Sequence, residues 1–199
     1  IMNNLPTIRE IELLHRKYAK SEIAYKLVYT HSQIVAEISK QIIRNKNLNL
    51  DSNFIEVAAL LHDIGAYTYI SADGIFDTSK YICHGITGSK ILKKEGFDEV
   101  FCRICARHTG VGITKENILD DNLPLPLNDY LAETIEEKLI MYSDKFHSKN
   151  PCFNSFLWYS NHIRKFGKNK VLRFKQFAKE FGIPNVKILA GRYSMPLNQ

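Results

Sequence analysis

Residues 53–65 read NFIEVAALLHDIG, and this stretch decides the fold class. Asp51 or Ser52 stands ahead of it as an N-cap, and Gly65 stands behind it as a stop. Residues 54–61 are apolar save for Glu56, with no period-two alternation. The segment reads as a buried helix that ends on a polar pair, His62–Asp63.

Working outward, the same period recurs. Upstream, Ile23, Leu27, Ile34, Ile38 and Ile42 predict a long helix from about Glu22 to Arg44. Thr7 with Glu10 makes a capping box that opens a first helix bearing Ile8, Ile11 and Leu14. Downstream, a loop (AYTYISADGIFDTSKYIC) leads to a helix from near His84 to Gly96. Asp98 caps the next helix. Thr134 with Glu137 opens another, TIEEKLIMYSDKFHS. The tail offers helices over Asn154–Phe166 and Lys168–Phe181. The second of these carries Val171, Phe174, Phe177, Ala178 and Phe181 as one stripe. No convincing strand or repeat is visible, so the predicted class is all-α. The loop before His84 and the segment DDNLPLPLNDYLAE are long enough to be lids or binding surfaces.

At 199 residues, 45% hydrophobic and 24% charged, the chain has the composition of one globular domain with a real core. We divide it into residues 1–150 and a basic helical extension, 151–199, expected to pack on the same domain. No apolar run is long enough to span a membrane, and IMNNLPTIRE lacks the pattern of a secretory signal, so the expected location is cytoplasmic.

The formal charge of +6 is uneven. From Ser160 onward there are nine Lys/Arg and one acid, Glu180, which gives +8 there and −2 for the rest. A solvated helix face is the simpler account of that charge, and tight nucleic-acid binding is not expected. Cys102 and Cys105 form a lone C-x-x-C inside the helical FCRICARH. Without a second pair they read as small buried thiols, not a zinc site.

The chemistry lies in a series of histidines and aspartates, each in or at the end of a predicted helix. They are His31 in YTHSQIV, His62–Asp63 in LLHDIG, His84 in CHGITGS, His108 in ARHTGVG and Asp144 in YSDKF. One such histidine alone is usually a satisfied core residue. So many titratable groups among apolar neighbours are costly to bury unless they share a partner. A divalent cation is the natural partner for imidazole and carboxylate together. Arg107, Lys145 and Lys115 neighbour these motifs as candidate phosphate cations, with ordinary surface cations as the alternative. Thr109 and Gly110 form a turn that could donate to a phosphate. His147 either faces the pocket or belongs to core or surface. His15 and His162 have no motif context.

The order H…HD…H…H…D from His31 to Asp144 resembles the HD superfamily of metal-dependent phosphohydrolases. The HDIG, CHGITGSKIL and ARHTGVGIT blocks are similar to small stand-alone HD proteins described as hydrolases. The resemblance implies a helical fold with His31, His62, Asp63 and Asp144 on one divalent metal (Mn, Fe, Co, Ni, Zn or Mg). His84 and His108 resemble the second-metal ligands of dinuclear members; in a mononuclear site they would bind the substrate phosphate instead. A catalytic set of Asp63, His84, His108, Arg107 and Lys145 follows. The implied activity is hydrolysis of a phosphate ester of a nucleotide or related small molecule by metal-activated water. Members that cleave cyclic dinucleotides often carry a lysine four residues after the motif aspartate. Tyr67 stands there in this chain, which argues against that activity. A di-iron oxygenase and a non-catalytic sensor module are the competing readings, and a homodimer is compatible with all three.

Overall fold

The computed structural model describes residues 5–199; the first four residues of the N-terminal stretch read above lie outside it. The architecture is all-α. Helix α1 (Ile8–Tyr18) precedes the long α2 (Glu22–Lys46), and α3 (Ser52–Leu61), α4 (His84–Lys94), α5 (Glu99–Arg107), α6 (Lys115–Asp120) and α7 (Ile135–Asp144) follow. After them come α8 (Phe156–His162), α9 (Lys168–Phe181) and α10 (Val186–Tyr193). Short 3₁₀ turns occupy Ile64–Tyr69, Tyr81–Cys83 and Ile163–Phe166.

Helix α2 is the axis of the core. It buries Val28, Ile34, Val35, Ile38 and Ile42 against α3 and α7. The capping boxes at Thr7/Glu10 and Thr134/Glu137 form as the sequence predicts. Asp51 caps α3 by accepting from the N–H groups of Asn53 and Phe54.

Three expectations change. Helix α3 ends at Leu61, ahead of His62, and Gly65 serves close approach instead of termination. A Cβ on Gly65 would lie 2.1 Å from the His84 carbonyl oxygen and 2.3 Å from the Gly88 nitrogen. A Cβ on Gly88 would be equally tight, 2.4 Å from the Cys105 sulfur. These two glycines let the chain after Asp63 lie in backbone contact with α4, which in turn packs on α5. That is how His84 and His108 come to sit beside Asp63.

The second change is a small sheet. Strand β1 (His147–Ser148) pairs antiparallel with β2 (Cys152–Asn154), and β2 pairs parallel with β3 (Leu197–Asn198). Strands of two or three residues are too short for alternation to show in sequence. The third change is that the expected Asn154–Phe166 helix is shorter: Ser155 caps α8, and its last turn tightens to 3₁₀. Helices α6 and α10 were not foreseen.

The 150/151 boundary falls inside the β1–β2 turn, so residues on both sides of it share one sheet. Beyond it, Phe174, Phe177 and Phe181 of α9 pack around Tyr142, whose hydroxyl donates to the Gly182 carbonyl at 2.8 Å. Phe174 and Phe181 are fully buried, each contributing about 1.5–3 kcal/mol of transfer free energy. Of the tail cations, Lys170 and Arg173 reach back to the carbonyls of the Val111–Gly112 turn, and Arg192 pairs with Glu37. No helix among the described residues is long and apolar enough to cross a membrane.

Candidate metal centre

Five of the six motif residues stand at helix ends. His62 follows α3 directly, and Asp63 comes next. His84 opens α4, His108 follows α5, and Asp144 closes α7. Only His31 lies within a helix, on the buried face of α2. The ends converge, and the donor atoms fall into two groups: His31, His62, Asp63 and Asp144, and then Asp63, His84 and His108. Within each group the donor atoms lie within 4.8 Å of one another.

The protonation pattern follows from the partners. The Nδ1 atoms of His62, His84 and His108 lie 2.6, 2.6 and 2.7 Å from the carbonyl oxygens of Ala59, Tyr81 and Cys105. A carbonyl only accepts, so each Nδ1 carries the proton and donates. In the neutral ring each Nε2 then holds a lone pair aimed inward. The Nε2 atoms of His84 and His108 face each other at 2.9 Å, with no proton available to join them. The Nε2 of His62 lies 3.3 Å from Asp63 Oδ2 and 3.6 Å from Asp144 Oδ1, again lone pair against oxygen. His31 Nε2 lies 2.9 Å from Asp144 Oδ1 and 3.1 Å from Asp63 Oδ2. His62 Nε2 and Asp63 Oδ1 are buried without a hydrogen-bond partner among the described residues, while Asp63 Oδ2 is met by the Lys149 ammonium.

Such an excess of inward acceptors fits divalent cations. An imidazole whose Nδ1–H is tied to a carbonyl is held in the orientation in which Nε2 ligates. The residues present therefore fit the metal that the sequence implies.

Electrostatics points the same way. Burial pushes the His84 pKa down to about 3, and it lowers that of His108 too, so both rings are neutral near pH 7. For Asp63, burial works against the charge. Lys149 and the surrounding histidines outweigh it and hold the carboxyl well below its usual range. Asp144 is held low likewise, against burial, chiefly by Lys145 and His31.

The candidate cations separate. Lys145 lies in the cluster: its ammonium pairs with Asp144 and donates to the His108 carbonyl at 3.1 Å. Arg107 does not. It pairs with Glu133 at 2.8 Å and Glu137 at 3.2 Å, turned away from the cluster. Its guanidinium is taken up by these two acids, whereas Lys145, equally adjacent to a motif residue, stays with the cluster. Lys115 opens α6, where its N–H donates to Asp129.

Two further residues stand in the cluster: Lys149, which the sequence reading does not name, and His147, for which it leaves the pocket open beside core or surface. Lys149, in the β1–β2 turn, pairs with Asp63 and lies 5.6 Å from the Tyr81 ring centre. Burial disfavours its ammonium, but Asp63 and Tyr81 more than offset this and its pKa is raised. His147 brings its Nδ1 to 2.9 Å from His31 Nδ1, and its Nε2 is buried without a partner among the described residues. Neither had a strong sequence signal, because a tight hairpin delivers both. Tyr67 is buried and hydrogen-bonded to His15 at 2.8 Å, so no group at that position reaches the cluster as a cation.

Above the cluster lies a cleft of about 760 Å³. His84, Asp144, Lys145, His147 and Lys149 line it, and so does the Thr109–Gly110 turn. Further walls come from Tyr81 and from α8.

The fold and cluster define an all-α protein with a His/Asp centre suited to divalent metal. The HD domain family profile matches residues 28–149, and the chain belongs to that family. Its residues 28–149 hold the whole His/Asp series.

Among curated relatives, a tRNA (cytidine(56)-2'-O)-methyltransferase of Picrophilus torridus is 33% identical over 161 residues, covering 81% of this chain and 43% of that protein. An uncharacterised protein of Methanocaldococcus jannaschii is 37% identical over 120 residues, 59% of this chain and 64% of that one. The chain thus spans less than two thirds of the length of either relative. Among solved structures, the HD domain of the Listeria monocytogenes phosphodiesterase PgpH in complex with cyclic-di-AMP shares the fold. Its TM-score is 0.55 at 16% identity, over 96% of this chain and 100% of that one.

Proposed function

We propose that this chain is a divalent-metal-dependent phosphohydrolase acting on a phosphate ester of a nucleotide or related small molecule. The observation that carries the reading is the pair of inward lone pairs on His84 and His108, 2.9 Å apart and each 3.4 Å from Asp63 Oδ1, an oxygen with no hydrogen-bond partner among the described residues. His31, His62, Asp63 and Asp144 would hold one ion, and Asp63, His84 and His108 a second. Divalent cations there would supply Lewis acidity, neutralising phosphate charge and activating water.

The chain's own groups do the rest. Lys145 and Lys149 present two ammonium groups to the cleft, where they offset charge on phosphate oxygens. Tyr81 offers a buried hydroxyl, without a partner among the described residues, as a donor beside Lys149. The Thr109–Gly110 turn, where Gly110 has φ +59°, exposes backbone to the same space. Lys149 takes the role that the sequence reading gave to Arg107. The PgpH domain binds cyclic-di-AMP; in this chain Tyr67 supports a simpler ester. The names of the methyltransferase relatives make RNA-derived nucleotides part of the substrate set to be screened.

The test is a phosphate-release screen. Metal-depleted protein is supplemented in turn with Mn, Fe, Co, Ni, Zn and Mg, against nucleoside phosphates, dinucleotides and simple phosphate esters. Turnover that is lost on chelation and restored by one or more metals is expected. No turnover of any ester with any metal would overturn the reading.

A further inference from the structure

The cleft lining divides by chemistry. The His/Asp cluster, Lys145 and Lys149 form its charged part, and all of these lie within residues 28–149. The α8 part lies beyond that stretch and is aromatic: Trp158, Tyr159 and His162.

Helix α8 uses different residues to fold. Phe156 and Tyr159 pack on Phe174, at 5.2 and 4.8 Å between ring centres, and Ser160 and Ile163 are buried. Trp158 and His162, four apart and so on one face, are free of that duty. They stack on each other at 4.8 Å with an interplanar angle of 14°. Among the described residues, Trp158 has no other aromatic partner. Each ring backs the other and keeps one outer face, half-buried at Trp158 and exposed at His162, on the wall of a cleft that two lysines also line. Asn150 and Asn198 border the same space with amide groups.

We infer that Trp158 and His162 form a platform for a nucleobase, so that the cleft takes a nucleoside phosphate with its base on α8 and its phosphate at the cluster. Charge complementarity fixes the phosphate end, and the flat surface fixes the other. Base–aromatic stacking tolerates every base, so the platform selects nucleosides over sugar phosphates without selecting among bases. The placement of the phosphate rests on the phosphohydrolase reading; the platform itself does not. The base could belong to a free nucleotide or to the phosphorylated end of an RNA chain.

Trp158 is the single tryptophan of the chain, so its fluorescence reports directly on the platform. The full chain is titrated with adenosine 5′-monophosphate, uridine 5′-monophosphate and ribose 5-phosphate, followed by fluorescence and calorimetry. Both nucleotides should quench Trp158, and ribose 5-phosphate should bind about tenfold more weakly or worse. Trp158→Ala should weaken the nucleotides about 5- to 100-fold and leave ribose 5-phosphate unchanged, with Trp158→Phe close to wild type. His162→Ala, at an exposed position that folding does not use, should show the same selectivity at smaller size.

Equal binding of nucleotide and ribose 5-phosphate by the wild type would overturn the platform, as would unchanged nucleotide affinity in both alanine variants. A protein that hydrolyses ribose 5-phosphate and nucleotides alike keeps the hydrolase reading and loses the platform. One that binds nucleotides on Trp158 yet turns over no ester keeps the platform and loses the hydrolase reading. A short 5′-phosphorylated oligonucleotide separates the two sources. Tighter binding than the mononucleotide assigns the base to an RNA end, and weaker binding assigns it to a free nucleotide; either supports the platform.

Discussion

His15 and the His84–His108 pair are buried alike, yet their surroundings differ in kind. His15 has a complementary partner on each nitrogen: the Tyr67 hydroxyl at 2.8 Å from Nδ1 and the Leu60 carbonyl at 2.8 Å from Nε2. A carbonyl and a hydroxyl can satisfy a neutral ring completely. In the pair, one nitrogen of each ring is satisfied and the other faces its twin. Burial does not distinguish a structural histidine from a ligand. The balance of donors and acceptors does, and an excess of inward acceptors marks a place for a cation.

That comparison is broken or sharpened most strongly at Asp63, which both donor groups share. Asp63→Asn keeps the shape and removes the charge that the two donor groups share. It should release bound metal and lower phosphohydrolase activity about 10³-fold or more, with helicity unchanged. Elemental analysis with a circular dichroism spectrum checks it. Undiminished metal with normal activity would mean that the acceptor excess has another cause.

Next in size is the pair itself. His84→Ala combined with His108→Ala should drop bound metal from about two ions per chain to about one, with activity down about 100-fold. If wild type never exceeds one ion in excess metal, the second donor group is no metal site. The two histidines are then left as ligands of the substrate phosphate.

How much of this was legible in sequence follows the same division. The helical ends carrying His62–Asp63, His84 and His108 were readable, because caps and apolar period locate helix ends, whereas the sequence runs the Asp144 helix on to Ser148 and α7 stops at Asp144. His15 was rightly set apart from the series. Lys149 was not named, and His147 was left between pocket, core and surface, since a hairpin with such short strands leaves no periodic trace. Helices α6 and α10 have six and eight residues, too few turns for a period to stand out. Gly65 was legible as a special position, but its reason was not: only the approach of α4 shows that a side chain there has no room.

His15 gives the third prediction, and it concerns stability. Burial pushes its pKa from the usual 6.5 down to about 4, so the folded state holds it neutral. Below pH 6.5 the unfolded chain binds a proton that the folded chain does not, so stability falls with acidification until about pH 4. The stability at stake is on the order of 3 kcal/mol. Urea denaturation of the wild type and of His15→Gln at pH 7.5 and pH 4 isolates this term from the other acidic groups. The wild type should lose more stability than the variant over that interval; equal losses would show that His15 is already charged in the fold.

The smallest effect on activity is expected at Arg107, the cationic counterpart of His15. Its guanidinium is bound on Glu133 and Glu137, and Glu137 is a buried carboxylate that also accepts from Arg103 at 2.9 Å and the Glu133 N–H at 2.7 Å. Lys149 presents the opposite case, a cation that lines the cleft and pairs with the shared carboxylate. Arg107→Ala should therefore leave the rate within about twofold of wild type. It should still lower stability by about 1–3 kcal/mol, because Glu137 stays buried with one guanidinium fewer. The pair of measurements matters more than either alone. A hundredfold loss of rate at unchanged melting temperature would return Arg107 to the phosphate site. A loss of stability at unchanged rate assigns it, like His15, to the groups whose partners are complete within the fold.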